Sequence, residues 1–135
     1  MASPSTPEDW MAVAQRRGAD SRAMLGGELS TGPVYMAGYA VECSLKAYLK
    51  SQEIDFPAGG PAGHNLAQLW KAARFPLTDL RDTNGAKTFY VDTWTTALRY
   101  ELAVPSALSP EELVTGAVHL AGWLQTRARR AGWRK

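Results

Sequence analysis

Cysteine and histidine are almost missing from this chain: 135 residues contain one cysteine, Cys43, and two histidines, His64 and His119. A single cysteine excludes an internal disulfide and any cysteine-rich metal site. Neither histidine has another histidine, a cysteine or a carboxylate at ligand spacing, so no metal is expected. Strand-like alternation and internal repeats are lacking too, which points away from sheets. GGPAG (59–63) has no Gly-Lys-Ser/Thr ending and no strand before it, so it reads as a connector and not a phosphate cradle. No Gly-x-Ser-x-Gly elbow is present, and no cofactor is implied. The chain does not open on a basic segment followed by an apolar stretch, and its one long apolar run falls short of the roughly 20 residues of a membrane span. A cytoplasmic location without membrane contact is the expectation.

The charge is uneven. Fifteen basic and thirteen acidic residues give a net +2, but Arg127, Arg129, Arg130, Arg134 and Lys135 all follow the last acid. The body before them carries a net −3, so a basic tail (127–135) closes a weakly acidic domain. Such a tail either touches phosphates or is solvated at the negative end of the last helix. The length suits a single domain, 1–135, with a full core. Cys43 lies within the apolar run, the setting of a buried, inert thiol.

Helix signals are plentiful. Thr6-Pro7-Glu8-Asp9 offers a cap, an N1 proline and early acids for a helix to about Leu25, where Gly26-Gly27 ends it. Gly32-Pro33 starts a second helix to about Ser51, and 53–63 is glycine- and proline-rich loop. Asn65-x-x-Gln68 opens a short third helix closed by Pro76. Phe89, Tyr90, Trp94, Leu98 and Leu102 recur at helical spacing, predicting a fourth helix over 87–102. Ser109-Pro110-Glu111-Glu112 announces the last helix. The fold predicted is all-α: an up-and-down four-helix bundle with an extra short helix.

The second helix holds the candidate chemistry. PVYMAGYAVECSLKAYL (33–49) is apolar nearly all round except for Glu42 and Lys46, which share one face. So apolar a rod predicts partial coverage by a second protein, and with the tryptophans Trp70, Trp94 and Trp123 it predicts a homodimer. A buried Glu42 must be paired. Two arrangements follow: a structural Glu42–Arg99 bridge, or an anion-binding cleft of Lys46, His64, Arg99 and Tyr100. His64, beside the Asn65 cap, is either a loop residue or a member of that site; His119 reads as partly buried.

AGYAVECSLKAYL, then GHNL-x-x-LW, then W-x-x-x-x-RYE resembles the HEPN family (higher eukaryotes and prokaryotes nucleotide-binding domains) over about Trp10 to Leu124. Gly38, Tyr39, Glu42, Leu45, Lys46, His64, Leu66, Trp94, Arg99 and Tyr100 anchor the likeness. The resemblance implies a helical bundle, commonly a homodimer, in toxin–antitoxin or phage-defence systems and beside minimal nucleotidyltransferases. It also implies nucleotide or RNA ligands. Many members are metal-independent ribonucleases with an Arg-x(4–6)-His motif, which this chain lacks: no arginine stands at that spacing before either histidine. The expectation is therefore a non-catalytic module. The alternatives are a ribonuclease with His64 as base and Arg99 as phosphate-stabilising cation, and a purely structural dimer or adaptor.

Overall fold

The computed structural model describes residues 3–25, 31–57, 60–82 and 84–130, with backbone alone at 60 and 61. Its described residues form helices α1 (Pro7–Met24), α2 (Thr31–Ser51), α3 (Gly60–Gly63), α4 (Leu66–Ala72), α5 (Ala86–Asp92) and α6 (Pro110–Ala128), without a strand. Two 3₁₀ turns, Leu77–Leu80 and Thr96–Tyr100, complete them. None of these helices is long and apolar enough to cross a membrane. The all-α expectation holds. The Gly26-Gly27 stop and the tail residues Arg134 and Lys135 lie outside the described residues.

The start signals act as read. Thr6 Oγ1 accepts from Asp9 N–H while the Asp9 carboxylate accepts from Thr6 N–H, and Ser109 with Glu112 repeats this reciprocal capping on α6. Asn65 accepts from Gln68 N–H, fixing the start of α4. The loop expected over 53–63 tightens at its end into the single helical turn α3.

Three pairs of contacts define the topology. Ser21 at the end of α1 donates to the Pro33 carbonyl at the start of α2, and Met11 packs with Ala47, so α1 and α2 run antiparallel. Gln125 reaches Ser44, and Ala128 joins Ala47, so α6 runs parallel to α2. Tyr90 donates to the Leu113 carbonyl while Gly116 backs onto Ala86, so α5 opposes α6. This is an up-and-down order whose third member is broken.

That break corrects the expected helix over 87–102. Helix α5 stops at Asp92, and the chain resumes as a 3₁₀ turn in which Thr95 Oγ1 accepts from Ala97 N–H. Thr93, Thr95 and Thr96 carry β-branched side chains that restrict χ1 and compete for backbone donors. Trp94 adds the tertiary cause. Its indole lies on Gly38, where even a methyl group would come within 1.9 Å of the ring. Continuing the helix would carry Trp94 off that seat.

Coverage of α2 is the second correction. Pro33, Val34, Ala37, Gly38, the whole run 40–47 and Leu49 are buried within the chain itself. Helices α1 and α6 make the largest contacts with α2, and α4 and the second 3₁₀ turn add to them. Trp70 and Trp94 are core residues and Trp123 is half-buried, so these aromatics line the interior. Helix α1 packs on α2 through small side chains. Its buried line is Met11, Ala14 and Ser21, small enough for close approach to α2, while Met24 is exposed.

Candidate functional site

Glu42 and Lys46 stand one turn apart on α2, and the bundle closes over both: they are 2% and 1% exposed. Lys46 Nζ lies 3.0 Å from Glu42 Oε2. The remaining face of the ammonium meets two aromatic rings, with Nζ 4.9 Å from the Trp10 centroid and 5.7 Å from that of Phe56. The other carboxylate oxygen, Oε1, takes His64 Nδ1 at 2.9 Å. One buried carboxylate thus joins two nitrogen bases.

His64 reaches Glu42 because the chain turns just before the Asn65 cap. A carboxylate only accepts, so Nδ1 donates to Glu42, and in the neutral imidazole Nε2 keeps its lone pair. Nε2 has no hydrogen-bond partner among the described residues, and the side chain is about one-third exposed. His64 borders a recess of about 390 Å³ shared with Asn65, Asp92, Trp94, Thr95 and Thr96. An imidazole oriented by a carboxylate, with its second nitrogen open, is suited to accept a proton or a hydrogen bond from a ligand.

Tyr39 continues the arrangement. Its ring meets the His64 ring edge-on at 6.0 Å and the Trp94 ring at 5.4 Å. The hydroxyls of Tyr39 and Tyr35 share a 3.0 Å hydrogen bond, and burial together with that bond pushes the Tyr39 phenol well above its ordinary value. Arg99 then donates from Nη1 to the Tyr35 hydroxyl across 3.4 Å, a long contact. Its guanidinium carbon lies 4.7 Å from the Tyr100 centroid. Donation to Tyr35 raises the Arg99 pKa further, so it is a permanent cation.

This geometry sorts the expected residues. The Glu42–Arg99 bridge is absent: Arg99 is exposed on the second 3₁₀ turn, and Glu42 takes Lys46 and His64 instead. Lys46 was expected to face a ligand, but its ammonium is sealed under Trp10 and Phe56. Tyr100 is 75% exposed, an open ring beside the exposed Arg99 guanidinium. His64 and Arg99 lie on one side of the molecule, linked through Tyr39 and Tyr35, but Arg99 does not line the His64 recess. Sequence reasoning passed over Tyr35 and Phe56. Tyr35 stands one turn before Tyr39, a spacing that could have paired them; nothing local placed Phe56 over Lys46.

A second recess of about 370 Å³ lies between α5 and α6, where Arg81, Lys87 and His119 face Asp82, Glu111 and Glu112. His119 is exposed there, not partly buried as expected. Cys43 is buried and unpaired, and desolvation, aided by the charge of Glu42, pushes its thiol up to about 12. Among the described residues, no group of three or more histidine, cysteine or acidic side chains is placed to hold a metal ion. Comparison with protein families, with curated proteins and with solved structures finds no match to this chain.

Proposed function

We propose that this chain is a HEPN-like, non-catalytic helical module. It binds a nucleotide or a short nucleic-acid segment on the side carrying His64, Arg99 and Tyr100. One observation carries the reading. The exposed Arg99 guanidinium, held by the Tyr35 hydroxyl and set against the Tyr100 ring, has no carboxylate partner among the described residues. A phosphate fits the guanidinium, and a base can stack on the open ring. The Glu42–Lys46 pair serves to position His64 and does not contact the ligand. By the same family resemblance, the module works as a cytoplasmic homodimer in a toxin–antitoxin or phage-defence type of system. A protein partner such as a minimal nucleotidyltransferase fits that setting. Because the chain covers its own α2, the dimer contact uses another surface.

Isothermal titration with nucleotides and short RNAs tests the ligand. Mononucleotide binding that Arg99→Ala abolishes is the expected result. Absence of binding to every probe removes the ligand reading and leaves a structural dimer or adaptor.

A second reading, a metal-independent ribonuclease, draws on the Glu42–His64 contact, which leaves Nε2 open as a base. Missing from it is the family's arginine–histidine spacing. Cleavage of RNA without metal that disappears in His64→Ala would establish this reading, and cleavage that persists in that variant would dismiss it.

A further inference from the structure

The opposite end of α2 from Arg99 carries an aromatic cluster. Tyr48 packs on Phe75 at 4.7 Å, and Trp123 meets Phe75 at 5.0 Å and Trp70 at 5.9 Å. The Arg127 guanidinium lies 4.7 Å from the Trp123 centroid and 5.9 Å from that of Phe75. Lys71 and Arg74, each next in sequence to a ring of the cluster, are exposed, as is Arg130 one turn beyond Arg127. None of these four cations forms an ion pair with a carboxylate among the described residues. Asp79, in the first 3₁₀ turn, is the acid nearest in sequence to Arg74, and it forms no ion pair with these cations.

Cations at helix C-termini gain from the helix dipole. That accounts for the charges at the ends of α4 and α6, but not for half-buried Trp123 and Phe75 reaching the surface beneath a guanidinium. Interleaved cations and partly open rings are the chemistry of single-strand recognition: phosphates meet the cations, and bases stack on the rings.

We propose that this end of the bundle, centred on Arg127, Trp123, Phe75 and Arg74, is a binding surface for single-stranded nucleic acid. It does not depend on the Arg99 reading. Tyr35 and Tyr48 mark the two places on α2, and the helical rise separates them by about 20 Å.

The test uses the full chain and a short labelled oligouridylate, followed by fluorescence anisotropy as salt rises from about 50 to about 200 mM. Four phosphate contacts predict a log–log salt slope of about −3. Arg127→Glu and Arg74→Glu should each weaken binding about tenfold or more, with an unchanged circular dichroism spectrum. Trp123→Leu keeps an apolar side chain there and should weaken the oligonucleotide without changing the binding of inorganic polyphosphate. The proposal is overturned if no saturable binding occurs at low salt. It is also overturned if both charge reversals leave affinity unchanged, or if polyphosphate displaces the oligonucleotide as well as unlabelled oligouridylate does.

Discussion

Glu42 holds two nitrogen bases with one buried carboxylate, so its removal has a direct cost. Glu42→Ala leaves the Lys46 ammonium enclosed without a counter-charge, a situation that destabilises proteins by about 3–5 kcal/mol. Urea unfolding should show that loss, while Glu42→Ala combined with Lys46→Met should recover much of it. A double variant as unstable as Glu42→Ala would mean that Lys46 is not the source of the cost. At Gly38 the limit is steric. A methyl group there meets the Trp94 indole at 1.9 Å, so Gly38→Ala should cost about 1–3 kcal/mol by overpacking. Gly38→Ala with Trp94→Leu should be less unstable than Gly38→Ala alone, again by urea unfolding. Cys43 provides a probe of closure. With its thiol pushed up to about 12 and enclosed, it should react with thiol reagents only as fast as the protein opens. Reaction of the native protein at the rate of free cysteine would contradict that enclosure.

Elements with local signals were legible in the sequence, and the element that depends on a distant partner was not. The start of α1, at Thr6 and Asp9, and that of α6, at Ser109 and Glu112, are set by side chains three residues apart, so the sequence shows both directly. The helix over 87–102 failed because its end is decided by Trp94 finding Gly38 on another helix, which periodicity does not record. The pairing of His64 with Glu42 was hidden for the same reason, as they lie 22 residues apart. The α1 cap also predicts a pH response. Hydrogen bonds from Ser5 N–H and Thr6 N–H hold the Asp9 carboxyl below its ordinary 3.8. A depressed folded value gives stability that is complete above the ordinary value and is lost as pH falls through the folded one. Far-ultraviolet circular dichroism should therefore show α1 fraying in acid, and Asp9→Asn should remove that dependence. Equal acid fraying in both proteins would argue against the cap as its origin.

At the scale of the whole molecule, the long helices α1, α2 and α6 bury one another, while short pieces fill the remaining position. A fully buried Leu45 or Leu49 replaced by alanine should cost about 2–5 kcal/mol, read by chemical denaturation. The composition pointed to a second protein over α2, because a helix without a polar side looks too large for a small domain to enclose. The chain manages it by setting α1 and α6 against α2, so its apolar character reports depth within one molecule and says nothing about assembly. Light scattering at micromolar concentration tests the proposed dimer, and a monomer would remove it.

The enclosure of α2 by a helix before it and another long after it has a consequence for synthesis. When α2 leaves the ribosome, α1 has already emerged to shield one flank, and the flank that α6 covers stays bare until α6 has emerged. During that interval the nascent polypeptide displays its stickiest surface, a state that favours aggregation and chaperone capture. The core closes over α2 only when α6 docks.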